Sequence, residues 1–143
     1  MRVRVAALAI QGDRVLLARH VKNGRVSFLL PGGGVESGET AHQALAREMR
    51  EEAGVACRIG DLRYVVEARS PNGAKHLMQL VFDVTIDGDV GPSSDARVAA
   101  CEWHDVEALR TLDVHPAVGP ILADDLTSGD GPRCRYLLAA WVV

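Results

Sequence analysis

Val3 to Ile10 is an apolar-rich run and Val15 to Arg19 is a second, with the turn-like Gln11-Gly12-Asp13-Arg14 between them. Two such runs around a polar turn predict a β-hairpin. His20 to Ser27 is polar and contains glycine, so it reads as a loop leading through Ser27-Phe28-Leu29-Leu30 into the glycine-dense stretch Pro31 to Gly38. Beyond it the period changes. Ala41, Ala44, Leu45 and Met49 recur at helical spacing, Thr40 with Gln43 three residues on makes a capping box, and Gly54 supplies a stop, which predicts a helix over Ala41 to Ala53. Cys57 to Ala68 and His76 to Ile86 read as strands joined across Asn72-Gly73. Leu77 to Phe82 alternates poorly, as a strand buried on both faces does.

The remaining third is more broken. Asp87 to Ala99 is rich in Gly, Pro, Ser and Asp and reads as a loop. Glu102-Trp103 opens a short strand, a helix follows near Val106 to Leu112, and Pro116 to Leu126 holds another. The last stretch, Arg135 to Val143, is too apolar for a free tail and is expected to dock on the core or on a partner subunit. Helices interspersed among strand groups predict an α/β fold, a mixed sheet covered by helices on both faces.

Composition narrows the class. At 143 residues the chain is expected to be one domain, residues 1–143, and its 48% hydrophobic and 24% charged content with mean hydropathy +0.04 is that of a globular protein. No apolar run reaches the ~18 residues of a membrane span, and the start has no signal-peptide pattern, so cytoplasmic is the expected location. Cys57, Cys101 and Cys134 are odd in number and show no paired spacing, which argues for free, mostly buried thiols. A net charge of −3 provides no basic stripe for a nucleic-acid polymer, which leaves small nucleotides, met through metals.

Candidate chemistry lies on the predicted helix. Residues three and four apart share a helix face, so Glu48 stands beside both Glu51 and Glu52. Surface pairing would favour Glu followed four residues later by Lys or Arg, whereas Glu48 is followed by Glu52. Three clustered carboxylates call for a cation, and hard oxygen ligands favour Mg2+, with Mn2+ a substitute. The preceding glycines, Gly32, Gly33 and Gly34, allow positive φ and close approach of backbone N–H groups to a phosphate. Such a metal would also reconcile an acidic site with an anionic substrate.

These residues stand at a fixed spacing. Gly33, Glu39, Arg47, Glu48, Glu51, Glu52 and Gly54, with Met49 and Val55 at two aliphatic positions, spell G-x5-E-x7-R-E-u-x-E-E-x-G-u. With Gly and each charged residue at roughly 6 to 7% apiece, seven such matches arise by chance about once in a few hundred million starting positions. The pattern resembles the Nudix box, and the chain is identified by it as a member of the Nudix hydrolase family. The resemblance implies an α/β/α sandwich around a central mixed sheet, and metal-dependent hydrolysis of a nucleoside diphosphate linked to another group. It implies Glu51 and Glu52 as metal ligands, Glu48 as a ligand or as the residue orienting the attacking water, Arg47 as an anchor for the acids, and Glu39 and Gly54 as structural members of the box.

Outside the box the resemblance is thinner. Trp103 resembles an aromatic residue that packs at this place in many Nudix domains. Many members carry an extra Glu several residues before it, where this chain has Arg97, and Asp95 is the substitute or a turn residue. Pro71, sixteen residues after Val55, matches a proline of ADP-ribose-cleaving relatives, yet it also suits the turn before Asn72-Gly73. By analogy with Nudix enzymes of similar compactness, the resemblance implies (deoxy)nucleoside triphosphates, including oxidised ones, as substrates, with ADP-ribose or nucleotide sugars as the alternative. A non-catalytic nucleotide sensor is the alternative of another class. Glu67 and His76 flank the predicted hairpin and can meet across it, whereas His20, His42, His104 and His115 have no metal-ligand spacing. A monomer or a homodimer is expected.

Overall fold

The computed structural model describes residues 1–129 and 134–142. The first apolar run forms β1 (Arg2–Gln11), antiparallel at its end to β2 (Arg14–Lys22) and parallel along Arg2 to Ala9 to β6 (His76–Ile86). Next to β6 lies β5 (Cys57–Arg69), antiparallel to it, and β8 (Arg135–Ala139) adds a parallel edge strand on β5. With β3 formed by Arg25–Leu29, the order along the sheet is β3-β2-β1-β6-β5-β8. Short β4 (Gly32–Gly34) pairs with the first half of β1, and β7 (Val98–Asp105) pairs with β2. Both parallel and antiparallel ladders are present, so the sheet is mixed, as expected.

Alternation along β1 sends side chains to two cores. Val5, Ala7 and Ala9, with Leu16, Phe82 and Val84, pack against Ala44, Leu45 and Met49 of α1 (Ala41–Ala53). Ala6 and Leu8, with Val15, Leu17, Tyr64 and Val66, pack on the other face against Leu122 and Ala123 of α2 (Gly119–Thr127) and Leu109 of a short 3-10 helix, Val106–Arg110. A strand whose two faces both meet helices has no use for polar residues on either, which is why β1 reads as a nearly continuous apolar run. The expected α/β/α layering is borne out.

Several boundaries differ from expectation. The polar stretch His20 to Ser27 is not a loop: β2 continues to Lys22 and β3 (Arg25–Leu29) returns antiparallel to it. The turn residues Asn23 and Gly24 have φ of 51° and 75°, the geometry that an Asn-Gly hairpin turn provides. Lys22, Arg25 and Val26 are exposed there, so no buried face imposed an apolar alternation on the sequence. The helix expected near Val106 to Leu112 is the 3-10 turn, the next helix begins at Gly119 rather than Pro116, and β7 begins at Val98, inside the expected loop. The C-terminal stretch docks as β8, with Val143 outside the described residues. Cys57 and Cys101 are half-buried free thiols, but Cys134 is exposed, against the expectation of mostly buried cysteines.

Helix α1 forms as its capping residues dictate. The Thr40 hydroxyl accepts from the Gln43 N–H at 3.1 Å while the Gln43 side chain accepts from the Thr40 N–H at 2.9 Å. At the other end Gly54 adopts φ 59° and its N–H returns to the Arg50 carbonyl at 3.1 Å, a left-handed stop that glycine tolerates without strain.

Candidate active site

Strand β4 brings the backbone against α1. A Cβ on Gly32 would overlap the Val5 carbonyl oxygen and lie 2.7 Å from Ala6 Cα, and one on Gly33 would overlap the Glu48 carboxylate. Neither glycine has positive φ. The positive φ expected of these glycines is thereby corrected: they lack a side chain where backbone and carboxylates crowd, while the left-handed geometry belongs to Gly38, φ 87°. The Gly32 N–H is directed to the Glu52 carboxylate, at 3.3 and 3.4 Å from its two oxygens.

Arg47 gathers the acids. Its Nε and Nη2 donate to both oxygens of Glu39 at 2.8 and 2.9 Å, its Nη1 donates to Glu48 at 2.9 Å and Glu51 at 3.4 Å, and Nη2 also reaches the Gly34 carbonyl at 3.2 Å. The planar fork of a guanidinium suits this many-sided anchoring. Glu39 also accepts from the Glu36 N–H at 2.9 Å, bracing the loop before α1. Hydrogen bonds from Arg47 hold the Glu39 carboxyl at about 2, below its ordinary 4.5. A depressed folded-state pKa stabilises above the unfolded value and loses that contribution as pH falls through the folded one. The melting-temperature gap between wild type and Glu39→Gln is therefore expected to be present at neutral pH and to close between about pH 4.5 and about pH 2. A gap that stays constant across an acid series of thermal melts would contradict the pairing.

The trio is unequal. Glu52 is 1% exposed and Glu48 is also buried, whereas the Glu51 side chain is 44% exposed. Burial pushes Glu52 up to about 7, against the pull of Arg4 and the Gly32 N–H, and burial likewise raises Glu48. Arg4 is buried beside them and spends its donors on neutral partners, Gln79 Oε1 at 2.8 Å and the Leu30 carbonyl at 3.0 Å. Among the described residues, no three acidic, His or Cys side chains converge as a ready cation cage. Yet Glu48 Oε2 is buried with no hydrogen-bond partner. Buried carboxylate oxygen without a donor is costly, and a hard divalent cation is a chemical fit for such oxygens.

The loop before β7 lies over the end of α1. Ser94 N–H donates to the Glu51 carbonyl at 2.6 Å, both the Ser93 and Ser94 hydroxyls also reach that oxygen, and Gly91 N–H meets the Ala53 carbonyl at 2.7 Å. Asp95, 12% exposed, accepts from Arg97 through Nε at 3.1 Å, Nη2 at 2.8 Å and the backbone N–H at 2.9 Å. Both Asp95 and Arg97 act electrostatically on the box. Glu67 and His76 do meet across the β5–β6 hairpin, in a contact shared with the Tyr136 hydroxyl, which donates to Glu67 at 2.6 Å. They are absent from the groups acting most strongly on Glu48 and Glu52. The sequence alone drew no attention to Arg4 or Gln79, and it set His20 aside for want of metal-ligand spacing. A charged residue inside an otherwise apolar run was the available signal for Arg4.

An apolar cavity of about 150 Å3 opens beside Arg4, walled by Leu29, Ala68, Leu77, Pro116 and Trp141. Arg4, which interacts electrostatically with Glu52 and Glu48, thus also lines this cavity.

With this geometry the chain matches the model of the NUDIX domain over residues 1–124. It belongs to the Nudix family and is a Nudix hydrolase. It is 31% identical over 122 residues to the uncharacterized Nudix hydrolase YvcI of Bacillus subtilis, covering 83% of this chain and 75% of that one. It is 33% identical over 114 residues to an ADP-ribose pyrophosphatase of Methanocaldococcus jannaschii, covering 77% and 65%. Other relatives are longer, and the chain spans 41% of one of them. Among solved structures, the MutT NUDIX hydrolase from Burkholderia pseudomallei is similar at TM-score 0.72 and 26% identity over 88% of this chain and 98% of that one. No helix among the described residues is long and apolar enough to cross a membrane.

Proposed function

We propose that the protein hydrolyses a pyrophosphate bond of (deoxy)nucleoside triphosphates, oxidised ones included, with Mg2+ or Mn2+ as cofactor. The observation that carries this reading is the pair of buried carboxylates, Glu48 with an unpartnered oxygen and Glu52 against the Gly32 N–H, on a helix face closed by a glycine strand. Glu48, Glu51 and Glu52 are the residues that would hold the metal. A bound divalent ion supplies Lewis acidity at phosphorus and a more acidic water. Arg47 holds Glu48 and Glu51 in place, and Glu51, the most exposed of the three, stands where solvent enters. One carboxylate of the trio accepts the proton of the attacking water. Gly33, with no side chain, leaves the space that the Glu48 carboxylate fills.

The cavity beside Arg4 supports a nucleotide over a bare polyphosphate, because apolar walls with Trp141 among them suit a planar base. A second reading, hydrolysis of ADP-ribose or a nucleotide sugar, draws support from the M. jannaschii relative. Pro71 adds little to it: Ser70 and Asn72 organise that turn through their own side chains, which accounts for a proline there. A non-catalytic sensor would have no need of a complete set of box carboxylates, and this chain retains all of them.

Chromatography of the nucleotide products formed from a panel of nucleoside triphosphates, oxidised triphosphates, ADP-ribose, nucleotide sugars and dinucleoside polyphosphates decides between the readings. Triphosphates are expected to be hydrolysed fastest, and chelation by EDTA to abolish turnover. Faster hydrolysis of ADP-ribose would transfer the assignment to the second reading, and no turnover of any member would overturn catalysis itself.

A further inference from the structure

Arg97 occupies a loop position from which its charge acts on Glu48 and Glu52, yet it forms no ion pair with either. Asp95 grips it from one side through three hydrogen bonds, and the side chain is still 70% exposed. The loop itself is fixed, through Ser93, Ser94 and Gly91, to the last turn of α1. A guanidinium so anchored is held ready for another anion.

His20 stands next to it. The β2–β7 ladder shifts register between Arg19 and His20, which sets His20 opposite Val98, the residue after Arg97. His20 Nε2 is buried and has no hydrogen-bond partner. The charged groups around this imidazole are Arg4, Asp95, Arg97 and His115. Two of these groups, Arg4 and His115, also line the apolar cavity. A buried ring nitrogen without a partner is a polar group that a ligand can satisfy.

We propose that His20 and Arg97 form an anion subsite that takes phosphate oxygens of the substrate, Arg97 by charge and His20 through its Nε2 hydrogen. The proposal rests on the reading of the protein as a nucleotide hydrolase and names two further binding residues for it. Asp95 is then a positioning residue, orienting the guanidinium. The arrangement explains how Arg97 serves at a place where an additional acid would be the simpler expectation: it offsets the negative charge that the trio presents to an incoming polyphosphate.

Inorganic pyrophosphate with Mg2+ is the probe, followed by calorimetry and by the ring resonances of isotope-labelled His20. In the wild type those resonances are expected to shift saturably with pyrophosphate. Arg97→Ala and His20→Gln are each expected to weaken pyrophosphate about tenfold and to raise KM for the hydrolysed nucleotide by a similar factor, the effect of losing one charge-assisted hydrogen bond. Arg97→Lys, which keeps the charge and loses the fork, should fall between. Unchanged affinity and KM in both Arg97→Ala and His20→Gln, with native melting curves, overturn the subsite. If instead the wild type hydrolyses no nucleotide while Arg97→Ala still loses pyrophosphate affinity, the function is wrong and the subsite stands.

Discussion

Glu52→Gln is expected to lower Mg2+-dependent turnover by roughly a thousandfold while the protein still folds. The substitution keeps size and shape at a position that is 1% exposed, so the packing beneath α1 is undisturbed. The amide oxygen can still accept from the Gly32 N–H, the contact Glu52 makes at 3.3 Å. What disappears is the charge. A neutral amide is a poor ligand for a hard divalent ion, and a buried carboxylate is costly to maintain unless a cation rewards it. Burial already pushes Glu52 up to about 7, so the neutral side chain should not destabilise the fold. Initial rates with Mg2+ and thermal melts on the same preparations separate the two effects. Glu51→Gln belongs in the same experiment: near-wild-type rates in both variants would sink the metal assignment.

Alanine at two adjacent glycines is expected to give opposite kinds of damage. Gly32→Ala places a methyl group onto the Val5 carbonyl and 2.7 Å from Ala6 Cα, both backbone atoms of the central strand, which cannot move without disturbing the ladder to β6. A loss of about 3 kcal/mol is expected, the upper range for overpacking a core. Gly33→Ala instead meets the end of the Glu48 side chain, which can swing aside. Its stability cost should be nearer 1 kcal/mol. Turnover should nonetheless fall about a hundredfold, because a carboxylate displaced by an ångström no longer meets its target. Denaturant melts and rates on the two variants check the contrast; equal stability losses would refute the geometric distinction between them.

Much of the candidate site was legible in the sequence because it is local. Thr40, Gln43 and Gly54 set the ends of α1, and once the helix exists its 3.6-residue period places Glu48 beside Glu51 and Glu52. Arg47 and Glu39 are eight residues apart, and their pairing follows from the same helix meeting its own preceding loop. The Asn72-Gly73 turn was visible for the same reason. The Asn23-Gly24 turn carried the same signal, but the strand ends that flank it are exposed and lack the alternation that a buried face imposes.

Long-range pairings were not legible. Nothing in the spacing of Arg4, Gln79 and Leu30 says that β1 runs parallel to β6 with β4 on its other edge, yet that topology makes Arg4 the buried cation beside the trio. His20 offered no motif, and only the pairing of β2 with β7 brings it to Arg97. The glycines of β4 suggested conformational freedom, whereas crowding against Val5 and Glu48 is what requires them.

The sequence by itself determined the carboxylate helix, its caps, its charge problem and the family, because each depends on contacts within about one helical turn or on a fixed spacing. Tertiary structure alone decided which carboxylates are buried and which reaches solvent, and which cations from distant strands stand around them. Burial and electrostatic environment are set by strand order and register, and these arise from the packing of the whole sheet rather than from any segment's own pattern.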